Sequence, residues 1–269
     1  MESAYFVSDL HLTSSEHPRA TLFTSFLRFL SAGENVSHLF LLGDIFDLWL
    51  ADHQYFVDEY RSIIAEITRL KDEGAEIHYF EGNHDIHLRS FWEDRLGLLV
   101  HDGPIHVELC NQTLRLEHGD QMDPDDRGYR FLRWFLRTPP IRFLICHLPG
   151  ALIVRLGERA SATSRTYTSE SKTISDHEAV AKIRKHARKA YAERRFDVIV
   201  SGHVHIRDDC ILQEGPRRYR SVNLGSWLDA PCYLKLDGSG LRLLELSTDD
   251  VAQLTPKKRV SQRELHDPG

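Results

Sequence analysis

The sequence predicts an α/β fold: a parallel sheet raised by alternating strands and helices, continued by closely spaced strands and interrupted by a helical insertion at about 127–176. Three observations carry that expectation. Short apolar runs alternate with segments of helical period through the first half of the chain. After His101 the apolar runs draw together, as antiparallel neighbours do. Beyond them lies a helical, aromatic and basic block whose composition belongs to neither pattern.

Taken in order, residues 4–8 form a short apolar run of strand character. Over 20–30, Leu22, Phe23, Phe26, Leu27 and Leu30 share one helical face. Residues 38–42 are the next strand. Over 56–71 the helical period returns through Ile63, Ile64, Ile67 and Leu70, and Gly74 marks its stop. Residues 76–81 make a third strand, and the resulting β-α-β-α-β order predicts parallel pairing with right-handed crossovers. The runs at 105–109 and 113–118 predict an antiparallel pair. A helix from Ala179 leads to a strand at 197–201, and further β-segments fall at 208–212, 219–224, 232–236 and 241–246. No internal repeat occurs, so 1–248 reads as a single domain that contains the insertion. Residues 249–269 are polar without an apolar period and are expected to be a loose tail.

The 269 residues suffice for one large α/β domain, and a composition 41% apolar and 28% charged is that of a globular protein. A formal charge of −6 weighs against a broad nucleic-acid-binding surface. Cys110, Cys146, Cys210 and Cys232 are scattered without CxxC spacing, so they read as small hydrophobes in a reducing compartment. No basic stretch followed by an apolar one opens the chain, and no run of about 18 apolar residues occurs; the expectation is a cytoplasmic protein.

Five places share one grammar, an apolar strand with a polar cluster just beyond its end. They are Ser8-Asp9-Leu10-His11, Gly43-Asp44-Ile45-Phe46-Asp47, Gly82-Asn83-His84-Asp85, Glu117-His118-Gly119-Asp120 and Gly202-His203-Val204-His205. The carboxyl ends of strands in open α/β sheets form the crevice where ligands bind. Asp, His and Asn converging there supply mixed oxygen and nitrogen donors, which suit Mn, Fe or Zn better than Ca or Mg. No Cys stands among them, which removes a structural-zinc reading. In Asp9-x-His11 and His203-x-His205 one residue separates the two donors, so on an extended strand both would face one side. Taken singly each piece has a bland reading: a surface pair, a helix cap at Asp44, a turn residue at Asn83, a core histidine at His118. Their repetition at successive strand ends does not.

These blocks, from about residue 4 to 225, resemble those of the calcineurin-like metallophosphoesterases. The resemblance implies a two-sheet sandwich flanked by helices, with a pair of metals at one edge. It implies that Asp9, His11 and His205 hold one metal, that Asn83, His118 and His203 hold the other, and that Asp44 bridges them. Asp47, Asp85 and Asp120 would orient the ligands. Two cations roughly 3.5–4 Å apart acidify a shared water and neutralise charge on the phosphoryl oxygens. His84, with Asp85 beside it, is the expected catalytic pair, protonating a leaving oxygen or stabilising the transition state.

The runs Tyr5-Phe6-Val7-Ser8-Asp9-Leu10-His11-Leu12 and Leu42-Gly43-Asp44-Ile45-Phe46-Asp47-Leu48-Trp49 are similar to those of the UDP-2,3-diacylglucosamine pyrophosphatases of lipid A synthesis. That branch implies Mn2+, an insertion after the fourth block, an anionic nucleotide-linked glycolipid as substrate, and work at the cytoplasmic face of the inner membrane. Its best-known members carry Arg where this chain has His84. By the same resemblance Asn83, His84, Asp126, Arg165, Tyr167, Lys172 and His203 are expected substrate contacts.

The insertion has its own reading. From 127 to 172 nine Arg or Lys face only Glu158 and Glu170, interleaved with Phe131, Leu132, Trp134, Phe135, Phe143 and Leu144 among other apolar residues. A cationic, apolar helical lid suits an anionic lipid or an anionic bilayer surface; the plainer reading is a helical hairpin packing its own apolar face. Rival functions remain open at this point. A soluble nucleotide diphosphate or another phosphoester would suit His84. A non-enzymatic scaffold would not need every ligand position filled, and a nuclease would want a polar basic groove in place of the apolar lid.

Overall fold

Strand β1 (Ala4–Val7) is buried on both faces, and its alternation sorts its side chains into two cores: Ala4 and Phe6 join one, Tyr5 and Val7 the other. The computed structural model, which describes residues 2–33, 35–124, 126–148, 152 and 176–246, builds outward from that division. In the first sheet β1 lies beside β2 (His38–Leu41), followed by β4 (Glu76–Phe80) and β6 (Leu99–His101), all parallel. On its other side β12 (Cys232–Asp237) and β13 (Gly240–Glu245) run antiparallel. The second sheet has the order β10 (Arg207–Glu214), β11 (Arg217–Leu224), β9 (Val198–Ser201), β8 (Gln112–Leu116), β7 (Ile105–Leu109). Its two edges are antiparallel hairpins around a parallel centre.

Phe6, Phe40, Phe80, Leu114, Leu116, Val200, Val222 and Leu234 meet between the sheets and are buried. The outer face of the first sheet is covered by α1 (Pro18–Gly33) and α3 (Arg61–Asp72), through Phe23, Phe26, Leu27, Ile63, Ile67 and Leu70. On the second sheet α6 (Asp176–Glu193) packs Ala187, Ala190 and Tyr191 against Ile199, Leu212 and Tyr219, with the two tyrosine rings stacked at 4.1 Å. The result is a helix-sheet-sheet-helix sandwich. The β-segments after β9 divide between the sheets, β10 and β11 in one, β12 and β13 in the other.

Four features differ from the periodicity. The helix expected at 56–71 is two, α2 (Gln54–Glu59) and α3, broken at Tyr60 (φ −103°). The break seats the buried Tyr60 ring 4.3 Å from that of Phe46 and lets its hydroxyl donate to the Leu12 carbonyl at 2.8 Å. The β10–β11 hairpin outruns its apolar core to a two-residue turn at Gly215-Pro216, because its solvent-exposed end carries polar residues that no apolar pattern marks. A two-stranded pair, β3 (Trp49–Leu50) with β5 (Asp85–Ile86), and a π-helical turn over Arg89–Glu93 have no periodic signal; an aromatic cluster of Phe46, Trp49, Phe91 and Trp92 holds them. Of the insertion, α4 (Arg127–Leu136) and α5 (Pro139–His147) are described; most of 149–175 and all of 247–269, the expected tail, lie outside the described residues.

Candidate metal centre

The strand-end residues converge by a route the sequence did not suggest. Asp9 and His11 do not alternate along an extended strand: β1 stops at Val7, and both residues take left-handed backbone angles, φ 54° and 47°. Asp44 (φ 52°), His203 (φ 68°) and His205 (φ 59°) do the same beyond β2 and β9. Such a conformation costs a non-glycine residue roughly 1–3 kcal/mol and persists only where surroundings over-determine it. Here they do. Asp9 N–H donates to Gly43 O at 3.1 Å, His11 N–H to Asp44 O at 3.0 Å and Leu12 N–H to Ile45 O at 3.0 Å, carrying the β1–β2 pairing into the loops. Between the two donors Leu10 is wholly buried and anchors the turn.

All seven predicted ligands come together. Asp9, His11 and His205 form one group, Asp44, His118 and His203 another, and His11, Asp44 and His84 link the two, each group with donor atoms within 4.8 Å of one another. His11 Nε2 lies 2.9 Å from His205 Nε2, which is 3.3 Å from Asp9 Oδ1. Asn83 Oδ1 lies 3.2 Å from His118 Nε2 and 3.0 Å from His203 Nδ1, and Asp44 Oδ2 is 3.5 Å from His118 Nε2. Asp44 stands between the halves. His118 Nδ1–H donates to Leu42 O at 2.8 Å, which turns Nε2 toward the cluster.

Burial and charge set the protonation states. Burial pushes His11 down to about 4 and also lowers His203, so both imidazoles are neutral at neutral pH. Burial would raise Asp44, but the imidazoles of His118 and His84 outweigh it and hold its carboxyl well below the usual range. Desolvation opposes charge on buried His118 and half-buried His205 too, yet Asp44 against the first and Asp9 against the second raise them.

Asp85 is not at the reacting edge. Wholly buried, it accepts from the backbone N–H groups of Asp44 (3.0 Å), Ile45 (2.9 Å) and Gly82 (2.8 Å) and from the Tyr79 hydroxyl (2.7 Å). Burial, then the Asp44 carboxylate, push it up to about 7. With its oxygens so engaged, the expected catalytic partner of His84 becomes the group that joins two loops. His84 itself is half-buried, its Nδ1–H donating to Asp47 O at 2.9 Å, its ring edge-on to His11 at 5.0 Å. Asp47 Oδ1 lies 3.8 Å from His11 Nδ1. Asp120 faces the insertion: its Oδ2 accepts from Tyr129 Oη and Arg133 Nε, both at 2.7 Å. Asp126, expected at substrate, is exposed and caps α4 by accepting from Tyr129 N–H at 2.8 Å. Arg165, Tyr167 and Lys172 lie outside the described residues.

Several supports escaped the sequence reading. Asp9 O accepts from Ser226 Oγ (3.0 Å) and Trp227 N–H (3.1 Å), and Asn223 Nδ2 donates to Gly202 O at 2.6 Å. Asn223-Leu224-Gly225-Ser226, at the end of β11, is a sixth instance of the strand-then-polar grammar and was visible as such. Arg137, which pairs with buried Glu81 at 3.0 Å, and Arg133 tie the insertion to the site edge. Nothing in the sequence distinguishes them from the other arginines of the insertion.

Residues 3–207 match the calcineurin-like phosphoesterase family. The chain belongs to that family. It is 28% identical to a UDP-2,3-diacylglucosamine hydrolase of Stenotrophomonas maltophilia, over 91% of this chain and 98% of that one. It is 30% identical to a UDP-2,3-diacylglucosamine hydrolase of Porphyromonas gingivalis, over 89% and 95%. Among solved structures, a novel archaeal phosphodiesterase aligns over 91% of this chain and 99% of that one at 16% identity, with a TM-score of 0.47. This phosphoesterase is therefore a metal-dependent hydrolase.

Its site fits divalent ions on its own terms. Asp9 Oδ1 is sealed from solvent without a hydrogen-bond partner, facing the nitrogens of His205 and His11, an arrangement that a cation satisfies. The backbone closes tightly around the donors: a Cβ at Gly82 would strike Asp44 Oδ1, and one at Gly202 would strike Ser8 Oγ and Asp9 Oδ2.

Proposed function

We propose that this phosphoesterase hydrolyses the pyrophosphate bond of UDP-2,3-diacylglucosamine to UMP and 2,3-diacylglucosamine 1-phosphate. The observation that carries the reading is one juxtaposition. The seven-residue donor cluster adjoins helices whose exposed side chains include Phe131, Leu132, Trp134, Phe143 and Leu144, in a chain whose full-length relatives bear that substrate's name. In this reading Asp9, His11 and His205 would hold one ion, Asn83, His118 and His203 the other, and Asp44 would be shared between them; the donors suit Mn2+, with Fe or Zn as alternatives. Two such ions supply Lewis acidity at the phosphoryl oxygens and acidify water.

The chain's own residues do the rest. Water adds across one P–O bond, its oxygen going to one phosphorus and a proton to the bridging oxygen that leaves with the other phosphate. His84, its Nδ1–H committed to Asp47 O, offers Nε2 to that leaving oxygen. Asn83 and His203, beside each other at the edge, contact the phosphate. Asp126, at the start of α4, and Arg165, Tyr167 and Lys172 contact the nucleotide or sugar. The aromatic face takes the acyl chains and rests on the cytoplasmic face of the inner membrane; no described helix is long and apolar enough to cross one.

His84 also favours a second reading, a soluble nucleotide diphosphate or another phosphoester, because a protonating imidazole serves an alkoxide, a poorer leaving group than phosphate, as well. Turnover of detergent-dispersed UDP-2,3-diacylglucosamine against ADP-ribose and UDP-glucose, with Mn2+ and after chelation, separates the two. The first reading expects the lipid to lead by at least about 100-fold in kcat/KM and activity to vanish with chelator. Equal or better use of the soluble nucleotides would replace it with the second.

A further inference from the structure

A second donor cluster lies at the amino ends of β2 and β4, away from the strand ends that carry the phosphoesterase site. His38 and Glu76 are opposite one another in the β2–β4 register, and His78, two residues on, shares the face of Glu76. One donor atom each from His38, Glu76 and His78 lies within 4.8 Å of the other two. Glu76 Oε1 is 2.8 Å from His78 Nε2 and 3.7 Å from His38 Nδ1. Donors around a tetrahedral zinc with bonds of about 2.0–2.1 Å stand roughly 3.3 Å apart, and the two distances bracket that value. Glu76, the most exposed of the three at 53%, can make the adjustment by rotating its carboxylate.

Two further observations separate this cluster from a plain hydrogen-bonded ladder. His38 Nδ1 is closed off from solvent and has no hydrogen-bond partner. The outer nitrogens also face groups of the kind that orient metal-binding histidines. His78 Nδ1 is 3.0 Å from His101 Nε2, and His38 Nε2 is 3.7 Å from Glu2 Oε1. Stacking fixes the rings in a column, Phe40 on His78 at 4.4 Å and His78 on His101 at 5.2 Å.

We propose that His38, Glu76 and His78 form a mononuclear zinc site that clamps β2 to β4, with the fourth position open to water beside exposed Glu76. Two nitrogens and one carboxylate oxygen are a zinc donor set. The ion stabilises the folded chain, which it binds in preference to the unfolded one, and takes no part in phosphoester cleavage.

The test uses the full untagged chain, loaded with Mn2+, supplied with Zn2+ and dialysed against a weak chelator. Anomalous diffraction on both sides of the zinc edge is expected to place a peak among the three side chains. Glu76→Gln and His38→Gln are each expected to lose one zinc equivalent per chain by elemental analysis, and to melt a few degrees lower in zinc than wild type, with turnover unchanged. Equal zinc content in wild type and both variants, or a zinc signal confined to the strand-carboxyl site, would overturn the proposal. Should a variant aggregate, the wild-type anomalous map decides alone: a peak supports the site, none removes it.

Discussion

The strand-end loops and the helical insertion sit side by side and are held by opposite means. The loops are closed: Asp9, Asp44 and Asp85 are buried to within 1% of complete, and backbone donors or imidazoles surround their oxygens. The insertion is open. Phe131 and Trp134 are each 62% exposed and Phe143 65%, and polar anchors join it to the body, Arg133 and Tyr129 on Asp120, Arg137 on Glu81, and the His87 and His53 rings on the carbonyls of Leu136 and Ile145. Chemistry on phosphorus needs donors preorganised to fractions of an ångström. A surface for a large amphiphile needs apolar area left uncovered. One chain meets both needs by paying backbone strain in the first region and hydrophobic exposure in the second.

Four changes would break or sharpen that contrast. The largest effect is expected from Asp44→Ala, which removes the carboxylate shared by both halves: kcat/KM should fall at least about 1,000-fold, about 4 kcal/mol of transition-state stabilisation, on lipid and small chromogenic diesters alike, with far-UV circular dichroism unchanged. Gly202→Ala keeps every donor but drives a methyl into Ser8 and Asp9; a loss of about 100-fold on both substrates is expected from misplacement alone, and near-normal turnover would mean the loops yield to a methyl group. Asp120→Ala unties Tyr129 and Arg133. It should cost about 10-fold on the lipid and little on a small diester, and equal losses would place Asp120 with the loops instead. The smallest effect on the enzyme itself is expected from Phe131→Ser with Trp134→Ser. Both side chains are exposed, so thermal stability should shift by only about 0.5 kcal/mol, whereas sedimentation with anionic vesicles should weaken about 10-fold. Unchanged vesicle binding would confine the aromatic face to substrate.

The sequence by itself determined the alternation of the main strands and helices and which polar residues follow which strands, because strand and helix periods are local and a strand's end is where its apolar run stops. Through the five polar blocks and the family they resemble, it also pointed to the seven residues that meet at the strand ends. Tertiary structure decided how those donors meet. Left-handed turns are adopted by Asp9, His11, Asp44, His203 and His205 only because loops from four other places close on them. It decided that Asp85 serves two backbones and that Asp120 and Glu81 hold the insertion. Each of these depends on a partner between 3 and 56 residues away whose residue type alone carries no signal. Local energetics writes the elements and their punctuation; the long-range closure of loops, which no short window contains, writes the site.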